Sequence, residues 1–494
     1  MELLSNLLAA FPALLKWDGM LVMVAGIILG TLGGAMPGIS PATAVALLVP
    51  FSYSMDPRLA FIMLVAIYQA ANYGGSITAV LINTPGTPSA AVTCFDGYPL
   101  TQQGKAGKGL GTALYASVFG GFFGSIVLIF FCVPLARAAL QFSPAAYFGM
   151  AIFGLSTVAS MGGGNVAKAL LAVVIGLLIT TIGLDPISGG YRYTFGLDML
   201  YDGFGFIPAL IGLFALTAVF EKVETWTGLS QALDKYNPTL PTWKEMWGIR
   251  RTMIRSSVLG TIIGIFPGAG ATIATFISYD MAKRVSKEPE KFGKGALEGV
   301  AASEAANSSS VGGALVPLLA LGIPGSSTDA VLLGAFILHD LVPGPLLFRD
   351  RPEIVYGIFA SLLIVNLLIL LICLYGNRLF IKIVSVPDAL LYPFILVLAL
   401  IGTYSVSSSM DDVAACIGFG ILGWILKRYG YPPAPIVLGI VLGKMVEMNF
   451  RRGVIMGGYS VFYTDTLAFV VLSLAMLSLF YPLLRAGWKR LRSA

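Results

Sequence analysis

The chain has 494 residues, 57% of them hydrophobic and only 11% charged, with a net charge of +6 and a mean hydropathy of +0.85. Soluble domains carry about 25% charged residues, and no soluble core could hide this much apolar side chain, because much of any folded chain stays at its surface. Lipid removes the conflict, and the basic residues fall between apolar runs rather than along a basic face, so nothing points to nucleic acid.

Residues 1–18 begin with an acid rather than a basic stretch and read as a retained membrane-edge helix, not a secretory signal. Apolar runs at 110–134, 204–220, 354–375 and 461–484 are long enough to cross a bilayer, which takes roughly 20 residues. Backbone polar groups in lipid must be satisfied within the chain, so the spans are expected to be helices. The fold class expected is an all-α polytopic integral membrane protein with about 10–14 membrane segments.

Two halves are expected. GTLGGAMPG at 30–38 matches GTIIGIFPG at 260–268, and Ala70-Ala71-Asn72 matches Ala305-Ala306-Asn307. Each is followed by a Gly-Gly pair and then by Pro-Gly. The first transmembrane repeat is placed at 19–221, a linker at 222–255, the second repeat at 256–484 and a basic tail at 485–494. Equivalent loops differ in charge: 51–58 is nearly neutral, whereas 283–294 is strongly basic. The excess of Lys and Arg in cytoplasmic loops puts 96–108, 222–255, 283–294, 427–428 and the tail inside, with 51–58 and 339–353 outside. Equivalent loops on opposite sides are the signature of an inverted-topology repeat. Arg451 and Arg452 are exceptions, falling outside. The basic-flanked stretch 256–282, with PGAG near its middle, reads either as a re-entrant hairpin or as one kinked span.

Four broken segments carry the chemistry. They are Pro37, Gly38, Ser40 and Thr43; Asn83, Thr84, Pro85, Gly86 and Thr87; Pro267, Gly268, Gly270 and Thr272; and Pro324, Gly325, Ser326, Ser327 and Thr328. Proline stops a helix and glycine permits the turn. The freed N–H groups, the positive helix end and the adjacent hydroxyls together favour an anion, here read as a carboxylate. A lone Pro-Gly would be only a kink, but four paired across two halves point to binding.

A second set, Asn72, Gly74 and Ser76 with Asn307, Ser308 and Ser309, offers hard oxygen ligands, and Asn72 and Asn307 are candidate Na⁺ ligands. Helix-to-helix hydrogen bonding is the plainer reading of the same residues. Glu304 and Asp329 are acids in weakly charged surroundings. Either is a candidate for the coupling ion. The plainer readings place Glu304 at the membrane edge and Asp329 as a helix cap. The four cysteines and the single His339 form no spaced metal or catalytic set, and no phosphate-binding loop is present, so neither an enzyme nor an ATP-driven pump is expected. No cofactor is expected beyond a coupling Na⁺.

The segments GGAMPGISPATAVALLVP, NYGGSITAVLINTPGTPSA, GIFPGAGATIATFISYDMAKR and SEAANSSSVGGALVPLLALGIPGSSTDAVLLGA, with HDLVPGP, resemble the tripartite tricarboxylate transporter family, specifically its large TctA-type permease subunit. The resemblance covers essentially the whole chain. It implies a multi-pass protein of the bacterial inner membrane working with a small TctB-type membrane subunit and a periplasmic TctC-type solute-binding protein. It also implies uptake of citrate-like or other small carboxylates driven by an ion gradient. Elevator-like movement is expected by analogy alone. A stand-alone carrier and an uncoupled channel are the alternatives.

Overall fold

A computed structural model describes residues 2–36, 38–157, 166–224, 239–266, 270–384 and 388–493, with side chains at all of these except 2, 157, 377–384, 388, 389 and 480–493. Pro37, Pro267 and Gly268 therefore lie outside the described residues, as does much of the 222–255 linker. The first half holds α1 (Glu2–Leu14), α2 (Trp17–Ala35), α3 (Pro41–Ser52), α4 (Pro57–Ile82), α5 (Cys94–Gln102), α6 (Ala106–Ala139), α7 (Pro144–Thr157) and α8 (Val166–Ile179). A two-stranded antiparallel ribbon, β1 (Gly183–Leu184) with β2 (Tyr191–Arg192), precedes α9 (Phe206–Ile211) and α10 (Thr217–Glu224). A π-helical turn at Gly212–Leu216 joins the last two.

The second half holds α11 (Trp243–Gly248), α12 (Arg250–Ile265), α13 (Gly270–Val285), α14 (Leu297–Leu321), α15 (Ser327–Leu338), α16 (Pro345–Asp350) and α17 (Pro352–Val384). It ends with α18 (Asp388–Ser407), α19 (Met410–Arg428), α20 (Pro433–Gly457), α21 (Val461–Thr464) and α22 (Thr466–Ser493). Seven described helices are long and apolar enough to cross a membrane. The chain is an all-α, polytopic membrane protein.

Small residues set the packing. Apolar side chains gain little by leaving lipid for one another, so helices associate where backbones approach closely. α6 and α14 meet at Gly124 and Gly312, where a Cβ on Gly312 would lie 2.3 Å from the Gly124 carbonyl oxygen. Gly120 lies against Ala305, and Cys132 Sγ donates to the Val316 carbonyl at 3.7 Å, so the two helices run parallel. α4 runs against α6, since Gly109 packs on Val80 and Gly121 on Gln69. The corresponding helices α4 and α14 are therefore antiparallel.

Each of these helices carries a hairpin. Gly260 and Gly264 of α12 pack on Ala306 and Ser310, whereas Ser278 of α13 donates to the Ala302 carbonyl at 3.0 Å. α12 thus runs along α14 and α13 returns beside it. Glu298 closes the mouth, accepting from Thr252 Oγ1 at 2.5 Å and Ser286 Oγ at 2.7 Å. Of the two sequence readings of 256–282, the geometry takes the hairpin. α2 repeats the arrangement on α4, with Gly26 against Met63 and Gly34 against Ala71. α3 returns to end at Ser52, whose Oγ lies 3.2 Å from His339 Nε2.

Loops 53–56, 185–205 and 339–351 share one face, tied by the Ser52–His339 contact, by Phe206 against Gly334 and by Arg451 on Asp185. Loops 103–105 and 286–296 share the other, where Gln103 donates to the Lys294 carbonyl at 2.8 Å and Lys108 pairs with Glu245 at 2.6 Å. Lys427 pairs with Glu221 on that second face. The α2–α3 hairpin therefore enters from the first face and the α12–α13 hairpin from the second. α1 lies at the first face, lining a groove with Arg58, Glu353 and Tyr356.

Candidate functional site

Both long helices end on a residue in left-handed backbone, Asn83 (φ 55°) after α4 and Gly322 (φ 71°) after α14. That conformation closes the last turn and lets the chain leave the helix axis. In the first half the released segment folds back onto its own hairpin. The Gly86 N–H donates to the Gly75 carbonyl at 3.2 Å, and Thr87 Oγ1 lies 3.1 Å from Ser89 Oγ.

The hairpin tip meets it there. Gly38 turns with φ 95°, and Ser40 caps α3 by accepting the Thr43 N–H at 3.1 Å. Gly38, Ser40 and Thr43 face Thr84, Pro85, Gly86 and Thr87 across a cleft of about 610 Å³. The far wall comes from Leu213 and Phe214 on the π turn, from Thr217 at the start of α10 and from Tyr392. The mouth carries Glu221, Lys222 and Lys427, so the cleft opens on the second face. Thr217 Oγ1 donates to the Gly212 carbonyl at 3.2 Å and to the Gly420 carbonyl at 3.3 Å, which holds the π turn against α19. A helix end, hydroxyls and two ammonium groups around one cavity can bind a small anion. Lys427 is ion-paired with Glu221, and Lys222 stands beside that pair.

The second-half break lies elsewhere. Pro324 and Gly325 are buried, and a Cβ on Gly325 would lie 2.9 Å from Ala314 Cα. Ser326 caps α15 by accepting the Asp329 N–H at 3.2 Å, and its Oγ lies 3.0 Å from Tyr68 Oη. Ser327 and Thr328 form the first turn of α15. The cap is thus Ser326 and not Asp329, whose two carboxylate oxygens are buried without a hydrogen-bond partner. Gly270 (φ 63°) and Thr272 begin α13 and do not line the cleft. Among the described residues of the four broken segments expected to build one site, the cleft brings together those of the two from the first half.

The ion-coupling set also divides. Glu304 is fully buried. Its Oε1 accepts from Thr93 Oγ1 and its Oε2 from Ser117 Oγ at 3.0 Å. Ser76 Oγ, Asn307 Oδ1 and Ser308 Oγ are buried without partners. Asn72 donates from Nδ2 to the Tyr68 carbonyl at 3.0 Å, and its own carbonyl accepts from Asn307 Nδ2 at 3.3 Å. Gly74 is a packing residue, pressed on the Thr31 carbonyl. Ser309 Oγ turns to the Ala306 carbonyl at 3.3 Å.

Sequence reasoning missed Thr217, Tyr392, Lys222 and Lys427 as cleft residues, because each comes from an element remote from the motifs. The Gly212 of an otherwise bulky apolar run is the one local signal of the π turn.

Residues 20–438 match the sequence profile of the tripartite tricarboxylate transporter TctA family. The chain belongs to the TctA family. An uncharacterized 52.8 kDa protein from the TAR-I ttuC' 3' region of Agrobacterium vitis is 39% identical over 478 residues, covering 96% of this chain and 95% of that protein. An uncharacterized protein from the TAR-II ttuC' 3' region of the same organism is 41% identical over 227 residues, covering 46% of this chain and 94% of that protein. No solved structure matches. Membership makes the chain a component of a transporter, in keeping with its multi-pass architecture.

Proposed function

We propose that this TctA-family chain is the large permease subunit of a binding-protein-dependent secondary transporter for small carboxylates, driven by a Na⁺ or H⁺ gradient. The observation that carries the reading is the cleft: a hairpin tip and a helix break converge on one cavity ringed by hydroxyls, with lysines at its mouth. A carboxylate needs N–H and O–H donors with a nearby cation, and this cavity offers both. The partners proposed are a TctB-type small membrane subunit and a TctC-type solute-binding protein docking on the first face, in the bacterial inner membrane. The basic loops of the second face favour the cytoplasm for that side. The antiparallel α4 and α14, with hairpins entering from opposite faces, favour two inverted repeats and an elevator-like movement.

The test is reconstitution with the small subunit in liposomes, with a cognate binding protein supplied outside and uptake of labelled citrate and dicarboxylates followed. Uptake that needs both the binding protein and an inward Na⁺ or H⁺ gradient is expected. Uptake indifferent to both would replace the reading with an uncoupled pore or an independent carrier.

A further inference from the structure

The sequence places Gln69-Ala-Ala-Asn72 on α4 where Glu304-Ala-Ala-Asn307 stands on α14. The two side chains are near-isosteres in corresponding positions, and both are buried. Their surroundings differ. Gln69 Nε2 donates to Asn366 Oδ1 at 3.0 Å, and Asn366 Nδ2 donates to the Leu362 carbonyl at 2.7 Å and to Ser125 Oγ at 3.4 Å. That neutral network leaves neither amide without a partner. Glu304 instead accepts from the hydroxyls of Thr93 and Ser117 and makes no ion pair among the described residues. Three and four residues along the same helix face stand Asn307 and Ser308, at the spacings that bring side chains together. Their Oδ1 and Oγ, and Ser76 Oγ from α4, are buried and unpartnered.

Buried polar atoms are nearly always paired, so three orphan oxygens beside a buried carboxyl call for a shared partner. A carboxylate taken out of water without a countercharge is costly. A proton on Glu304 would neutralise it but could serve only one of the three oxygens. A small monovalent cation would serve the carboxylate, the amide oxygen and the hydroxyls together, all of them hard oxygen ligands. We propose that Glu304, Ser76, Asn307 and Ser308 form a Na⁺-sized cation site, for which the Gln69 network in the other half is the neutral, cation-free counterpart. The site lies where α4, α6 and α14 meet, so its occupancy couples elements of both halves. The proposal deepens the gradient-driven reading above by naming the ion and its ligands, and it replaces Asn72 with Glu304 as the principal ligand.

The test reads binding, not transport. The thermal unfolding midpoint of the purified protein in detergent is measured in NaCl against KCl and choline chloride at equal ionic strength, at two pH values. A saturable, Na⁺-specific rise is expected for the unmodified protein. Glu304→Gln should abolish the rise while keeping the Na⁺-free midpoint, since the same amide is accommodated at position 69. Asn307→Ala and Ser76→Ala should each raise the half-saturating Na⁺ concentration at least tenfold, and they carry the test if Glu304→Gln does not fold. Thr87→Val in the cleft should keep the Na⁺ response, so failure of the carboxylate reading leaves this result standing. A Na⁺ rise that persists in Glu304→Gln overturns the proposal, as does a midpoint that responds to pH but not to Na⁺, or to neither.

Discussion

Gly86 lies against Gly34 so closely that a Cβ on Gly86 would sit 2.1 Å from the Gly34 carbonyl oxygen and 2.8 Å from Gly75 Cα. The obstacle is backbone on both sides, so neither neighbour can rotate away. Gly86→Ala must therefore push the break segment off its hairpin. Overpacking of this kind costs about 1–3 kcal/mol. The expected outcome is a folded but less stable protein with at least tenfold less carboxylate uptake. Uptake in liposomes and the unfolding midpoint of the same preparation check both halves.

Lys222 stands at the cleft mouth beside the Lys427–Glu221 pair. Both members of that pair are more than two-fifths exposed, so the pair itself is worth only about 0.2–1 kcal/mol. Lys222→Gln is expected to raise the KM for a carboxylate several-fold, most strongly at low ionic strength. A KM that does not move with salt or with this substitution would remove Lys222 from substrate recruitment.

Glu298 clasps the two arms of the second hairpin through Thr252 and Ser286. Hydrogen bonds to a charged group contribute about 1.5–3 kcal/mol each. Thr252→Val combined with Ser286→Ala should loosen the hairpin mouth, read as faster amide exchange across residues 283–296 with the exchange of α4 unchanged.

Asp185 anchors the ribbon to α20. Its carboxylate takes Arg451 Nη1 at 2.8 Å, while Arg192 donates to Glu447 at 2.6 Å. The N–H of Ile187, the Ser188 hydroxyl and Arg451 hold the Asp185 carboxyl below the usual carboxylate range. A depressed folded-state value means that the stabilisation is present above the ordinary aspartate range, near pH 4, and is lost as pH falls through the lower folded value. The ribbon should thus resist proteolysis at pH 5 as well as at pH 7, and Asp185→Asn should abolish that protection at both.

This network also accounts for one of the two misfits in the loop charges. Arg451 stands on the face expected to be outside, yet its charge is met by Asp185 and Glu447. A positive charge neutralised by its own neighbours exerts little pull on topology. The small-residue motifs were readable because they are local: Pro, Gly and an adjacent hydroxyl at short spacing mark a break wherever they occur. The 256–282 hairpin was legible from its basic flanks, whereas α2–α3 was not set apart, because its flanking loop 51–58 is nearly uncharged. The environment of Glu304 was illegible for a different reason. Thr93 and Ser117 are 211 and 187 residues away in the chain, and nothing local announces that they converge on one carboxylate.

The cleft has an electrical consequence. Aqueous ions entering the cleft from the second face carry that solution's potential down to Gly38 and Gly86. The voltage across the membrane then falls between these glycines and the first face. Each elementary charge moved between them would exchange most of about 2.3 kcal/mol per 100 mV with the field. The net charge of the cargo then sets the direction in which the membrane voltage drives such a carrier.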